Sequence, residues 1–73
     1  MDKWKIEIWE YHYVVDSYES NSINEVLKWF RQNWLWSYDN GNCAFEVYKN
    51  NNELTFDEKY DLGFYEDDYK KEE

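Results

Sequence analysis

Proline is absent, glycine occurs twice, and cysteine and histidine occur once each in these 73 residues. Each scarcity excludes something. A lone Cys43 forbids an intrachain disulfide, and the setting it implies is a reducing cytosol. One cysteine and one histidine cannot build a structural zinc site, which needs several such ligands. No glycine-rich phosphate loop is present. No apolar run approaches the roughly 20 residues of a membrane span. Met1-Asp2-Lys3-Trp4 leads into an alternating pattern, with no secretory leader expected. Cations are also few: eight Lys and Arg stand against 17 Asp and Glu, a net charge of −9. That balance argues against direct binding to nucleic acid or to anionic membrane, both of which reward Lys and Arg. It leaves room for a basic partner.

Aromatic residues are what the chain has in excess. Five Trp, eight Tyr and four Phe stand beside a single alanine, Ala44. Each enclosed ring buries about 150–250 Å². A chain of this length forms one domain with a thin core, so some rings are expected on the surface, on a self-association or partner face.

The pattern predicts an α+β fold in the order β-α-β-β, a three-stranded, mainly antiparallel sheet with one helix on a face. Residues 3–18 read as strand, Trp4, Ile6 and Ile8 alternating with Lys5 and Glu7. The phase changes at Trp9, and no Gly, Pro or Asn marks a turn. One long strand, bent or bulged near Trp9 and Glu10, is therefore expected in place of a hairpin. Ser22 precedes Glu25 at capping-box spacing, and Ile23, Val26, Leu27, Phe30 and Trp34 form one stripe, giving a helix over about residues 22–35. Asn40-Gly41 signals a turn. Cys43, Phe45 and Val47 share the inward face of a strand, and Asn50-Asn51-Asn52 forms a hairpin loop. Leu54 and Phe56 then point inward, and Leu62 and Phe64 pack around Gly63 as a short turn. The domain is expected to span 1–68, with 69–73 a frayed tail.

Chemistry-bearing residues are sparse. His12, within Tyr11-His12-Tyr13, reads as a packed or solvated strand histidine rather than a general base. Cys43 reads as a small core residue rather than a nucleophile. Glu66-Asp67-Asp68 lacks the spaced ligands and glycine of a calcium loop. No enzyme, no cofactor and no metal is expected.

Binding remains, and the placement of charge bears on it. Residues 57–73 hold eight acids against three lysines, whereas the helical stretch holds Glu25 against Lys28 and Arg31. Same-face residues of a strand lie about 6.6–6.8 Å apart, close to the separation of phosphates along a DNA strand. Carboxylates on a stiff scaffold can thus stand in for phosphates in a basic groove, with the steering and salt sensitivity that DNA has. The expected partner-binding set is Glu7, Glu10, Asp16, Glu19, Asp57, Glu58, Asp61, Glu66, Asp67 and Asp68. Exposed Tyr60, Tyr65 and Tyr69 would add contact area and accept an Arg on a ring face.

In size, acidity, aromatic richness and AT-biased composition the whole chain resembles small phage-encoded host-takeover proteins that act as DNA mimics. Among these it is most similar to inhibitors of the bacterial replication sliding clamp from large staphylococcal phages. The resemblance implies a homodimer in the cytoplasm of a bacterial host, filling the clamp's basic channel and blocking DNA loading. It rests on general character and assigns no residue a role. One local feature bears on it. Peptides that dock on the clamp's outer pocket carry Gln followed by Leu-x-Phe-like anchors, and "NNELTF" supplies Leu54 and Phe56 with Asn51 in place of Gln. Alternative readings are a decoy for another DNA-binding enzyme, such as an anti-CRISPR or a uracil-DNA glycosylase inhibitor, and a small adaptor whose aromatic face binds a polypeptide.

Overall fold

A computed structural model of the chain describes residues 1–65. The opening alternation builds a hairpin. Strand β1 (Trp4–Glu10) pairs antiparallel with β2 (Tyr13–Ser20) through a turn at Tyr11 and His12. This corrects the expected single bent strand and moves His12 from mid-strand to an exposed tip. The turn uses no Gly, Pro or Asn; Tyr11 itself adopts φ 58°, in the left-handed region. Burial of Ile6 and Ile8 in the adjoining strand supplies what the turn residues do not. The phase change at Trp9 has a separate cause. Ile8 lies opposite Asp16 but Trp9 lies opposite Val14, so Val15 is an extra, bulged residue of β2.

Helix α1 (Ile23–Asn33) starts where its cap requires, with Ser22 Oγ accepting from the Glu25 backbone N–H at 3.4 Å. It buries Val26, Leu27 and Phe30. The expected helix over 22–35 is broken at Trp34, whose φ of −132° ends α1, and α2 (Leu35–Asp39) follows. The Trp34 indole N–H donates to Asp16 Oδ2 at 3.0 Å, which draws this junction to β2. Gly41 then turns the chain at φ 78° into β3 (Ala44–Lys49). Asn50 and Asn51 take φ 51° and 70°, a conformation Asn tolerates, and return the chain into β4 (Asn52–Glu53).

The sheet order is β2-β1-β3-β4, antiparallel throughout. The α+β class is as expected, but the sheet has four strands, not three. A third helix, α3 (Phe56–Leu62), replaces the expected end of the last strand. Leu54 points inward as expected; Phe56 does not, because Thr55 starts a helix there and leaves the ring 60% exposed. Ile6, Ile8 and Val47 from the sheet meet Val26 and Phe30 from α1, with Leu35 and Phe64 closing the ends. The Phe30 ring lies 4.5 Å from that of Phe45 and 5.9 Å from that of Phe64. Cys43 sits half-buried at the core's margin, and burial followed by the charge of Glu10 pushes its thiol pKa up. Among the described residues no helix is long and apolar enough to cross a membrane. The expected boundary at Asp68 and the tail 69–73 lie outside the described residues.

Candidate functional site

Strand register decides which acids share a surface. On the sheet face turned away from α1, one cross-strand row reads Glu19, Lys5, Tyr48, Glu53; the next reads Ser17, Glu7, Glu46. Two predicted residues, Glu7 and Glu19, thus lie on one face, and Glu46 stands directly opposite Glu7. Cations already attend them. Lys5 Nζ lies 3.2 Å from Glu7 and Lys3 Nζ 3.3 Å from Glu19. Lys59, only 7% exposed, places its ammonium 3.1 Å from Glu46 and 5.2 Å from the centre of the Phe45 ring. Negative charge persists around Tyr48. Its hydroxyl pKa is pushed up to about 12, first by burial, then by a hydrogen bond to Glu7 and the charges of Glu7, Glu53 and Glu46.

Two other predicted acids lie elsewhere. Glu10 ends β1 beside the turn. Asp16 shares the face of Ile8, and its two oxygens accept from the Trp34 indole and from the Ser17 backbone N–H. The structure does not bring either into the row of Glu7 and Glu46.

The remaining described candidates come together on α3. A capping box begins it: Thr55 Oγ1 accepts from the Glu58 backbone N–H at 3.2 Å, and Glu58 Oε1 accepts from the Thr55 N–H at 2.9 Å. These bonds to Thr55 hold the Glu58 carboxyl below its ordinary pKa. Gly63 at φ 95° closes the helix, and the chain turns in so that Phe64 is fully buried. Arg31 on α1 secures the same corner, one guanidinium N–H donating to the Gly63 carbonyl at 3.0 Å. Asp57 and Asp61, four residues apart, fall on one side of this anchored helix, about 6 Å apart along its axis. Among the described residues neither is paired with a cation.

Rings flank these acids. Phe56 and Tyr60 are 60% and 63% exposed, with centroids 6.2 Å apart. Tyr65 is half-buried, 4.7 Å from Phe56 and 5.6 Å from Phe45, and so links the exposed rings to the core. Tyr60 is exposed as expected, while Tyr65 serves mainly as a support. Phe56 was missed as a surface residue, and the signal for it was Thr55-x-x-Glu58. Glu66, Asp67, Asp68 and Tyr69 lie outside the described residues.

Two clefts adjoin these surfaces. One of about 420 Å³ lies between the hairpin turn and the 41–44 loop, lined by Trp9, Tyr11 and Cys43 among others. The other, about 250 Å³, lies behind α3. Among the described residues no group of three or more His, Cys, Asp or Glu is placed to hold a metal. No protein-family model matches the chain, and no curated protein or solved structure matches it.

Proposed function

We propose that this chain is an acidic, non-enzymatic inhibitor that occupies the basic DNA-binding surface of a host replication protein. The target it fits best is the channel of the bacterial sliding clamp, where two copies would block DNA loading. The observation that carries this reading is α3. It holds Asp57 and Asp61 at near-phosphate spacing beside exposed Phe56 and Tyr60, on a helix fixed at both ends. Unpaired carboxylates on a stiff support keep their long-range attraction, and rings beside them offer faces to arginine. The acids of the open sheet face add to the field, although their lysine partners reduce it. The outer-pocket peptide mode is disfavoured, because Leu54 belongs to the core and would have to leave it.

Competition against labelled duplex DNA on purified clamp tests the proposal. The chain is expected to displace DNA, and affinity should fall steeply as salt rises from about 50 to about 500 mM. D57N/D61N should weaken binding about tenfold, or about 1.4 kcal/mol. Binding that ignores both salt and these substitutions would sink the idea. Parallel assays on a CRISPR effector and a uracil-DNA glycosylase identify a different target of the same kind.

One observation favours an adaptor. Tyr11, Tyr13, Val14 and Val15 are all exposed at the hairpin tip and along β2, an apolar surface suited to another polypeptide. That reading predicts partner binding that survives D57N/D61N and is lost in Y11S/Y13S.

A further inference from the structure

The groove behind α3 adjoins the acidic side of that helix, and Asp61 stands at the border of the two. The floor of the groove is Trp4, Leu54 and Leu62, and its rim carries Glu58, Asp61 and Lys49. Asp61 and Leu62 lie three and four residues after Glu58, which sets all three on one face of α3. An aliphatic wall, an indole face and two carboxylates thus converge on about 250 Å³. The molecule already shows what that indole face accepts. The Lys49 ammonium lies 5.3 Å from the centre of the Trp4 ring, while its carboxylate contact is Asp2 at 3.7 Å. Lys49 is about half exposed, so it can swing out without opening the core.

We propose that this groove seats a single arginine side chain of the basic partner, its stem against Leu54 and Leu62, its guanidinium on Trp4 and facing Glu58 and Asp61. The proposal rests on the reading that the partner is basic. Arginine fits better than lysine for two reasons. A flat guanidinium stacks on an indole and presents a fork of donors that can serve two carboxylates at once. One ammonium, that of Lys49, is already resident and leaves the two-carboxylate rim net negative. The long aliphatic stem explains why the floor is apolar when the rim is charged. Glu58 contributes as an anion at neutral pH, since its bonds to Thr55 favour the charged form.

The test is a titration of the isotope-labelled full chain with the peptide acetyl-Gly-Arg-Gly-Arg-Gly-amide, followed by nuclear magnetic resonance. The indole N–H of Trp4 and the methyl groups of Leu54 and Leu62 should shift together and saturate. The matching citrulline peptide should leave them in place, and the lysine peptide should bind more weakly than the arginine one. E58Q/D61N keeps an acceptor for the Thr55 N–H and should lower affinity about tenfold. D61N alone serves if the double variant loses its helix. K49Q removes the resident cation and should tighten binding, a gain that a purely structural lysine would not give. Shifts confined to the Phe56–Tyr60 side or to the sheet face would overturn the proposal. So would unchanged affinity in D61N, or weaker binding in K49Q. The two readings fail separately. A peptide seated in the groove without displacement of DNA from any target sinks the inhibitor reading alone. Displacement of DNA with peptide shifts elsewhere sinks the groove alone.

Discussion

Lys59 shows how one side chain ties together an acidic surface and an aromatic core. Burial alone would lower its pKa, but the bond to Glu46 and that carboxylate's charge outweigh it, and the net shift is upward. A group whose folded pKa is raised contributes stability that is complete below its unfolded value, here 10.5, and is lost as pH climbs through the folded one. Tyr48 acts in the same direction between 10 and about 12. Cys43, whose thiol pKa is raised from 9.0, adds a first contribution, so urea unfolding followed upward from neutral pH should show stability falling on the alkaline side of about 9 and more steeply beyond about 10. E46Q should be less stable at neutral pH by about 2 kcal/mol, because it leaves a buried ammonium with a neutral partner. Its alkaline decline should also be shallower. A decline of equal steepness in the variant would mean that Glu46 does not set the Lys59 pKa. The charge excess was legible in the sequence, but these pairings were not. The Lys59–Glu46 pair joins α3 to β3, so it depends on the helix that the strand-like alternation of Leu54 and Phe56 concealed.

The three helices and the hairpin divide by how much of their specification is local. Ser22 and Glu25 announced α1 before any packing was known, since cap and stripe lie within a few turns of chain. The β1–β2 turn carried no comparable mark. Tyr11 occupies a backbone region that its side chain disfavours, and distant burial of Ile6 and Ile8 holds it there. Helix α3 was hidden for another reason. Leu54 satisfies a strand pattern and does turn inward, so the alternation seemed to run on through Phe56, although Thr55 and Glu58 already had capping-box spacing. That box is the element's main local support. T55A should cost about 1 kcal/mol in global stability. It should also speed hydrogen exchange at the amides of Glu58 and Lys59 ahead of those in α1. The folded-state pKa of Glu58 is depressed, so its share of the box is present above about 4.5 and is lost as pH falls through the lower folded value. Uniform exchange across α1 and α3 in T55A would show that Phe64 and Arg31, not the cap, hold α3 in place.

At the scale of the whole molecule, the −9 charge opposes compaction, while ten buried apolar residues among those described and a chain of contacting, mostly tilted rings favour it. Rings that a small core could not enclose are handed outward, from Phe30 through Phe45 and Tyr65 to Phe56 and Tyr60. Composition foretold that overflow but not its exit point beside α3. Raising salt from about 50 to about 500 mM should screen the net repulsion more than it weakens the surface ion pairs, each worth about 0–1 kcal/mol. The thermal midpoint should rise by a few degrees, as read by circular dichroism. A falling midpoint would mean that the pairs of Lys3, Lys5 and Lys49 matter more than the overall charge.

The extra residue in β2 has a consequence for crowded solutions. The rim of that strand is a row of peptide groups facing outward, and another molecule's strand laid along it would start in step and lose step at Val15. While like charge keeps neighbours apart, this misfit is idle. In brine, where that protection fades, the crooked rim becomes the barrier against open-ended fibre growth.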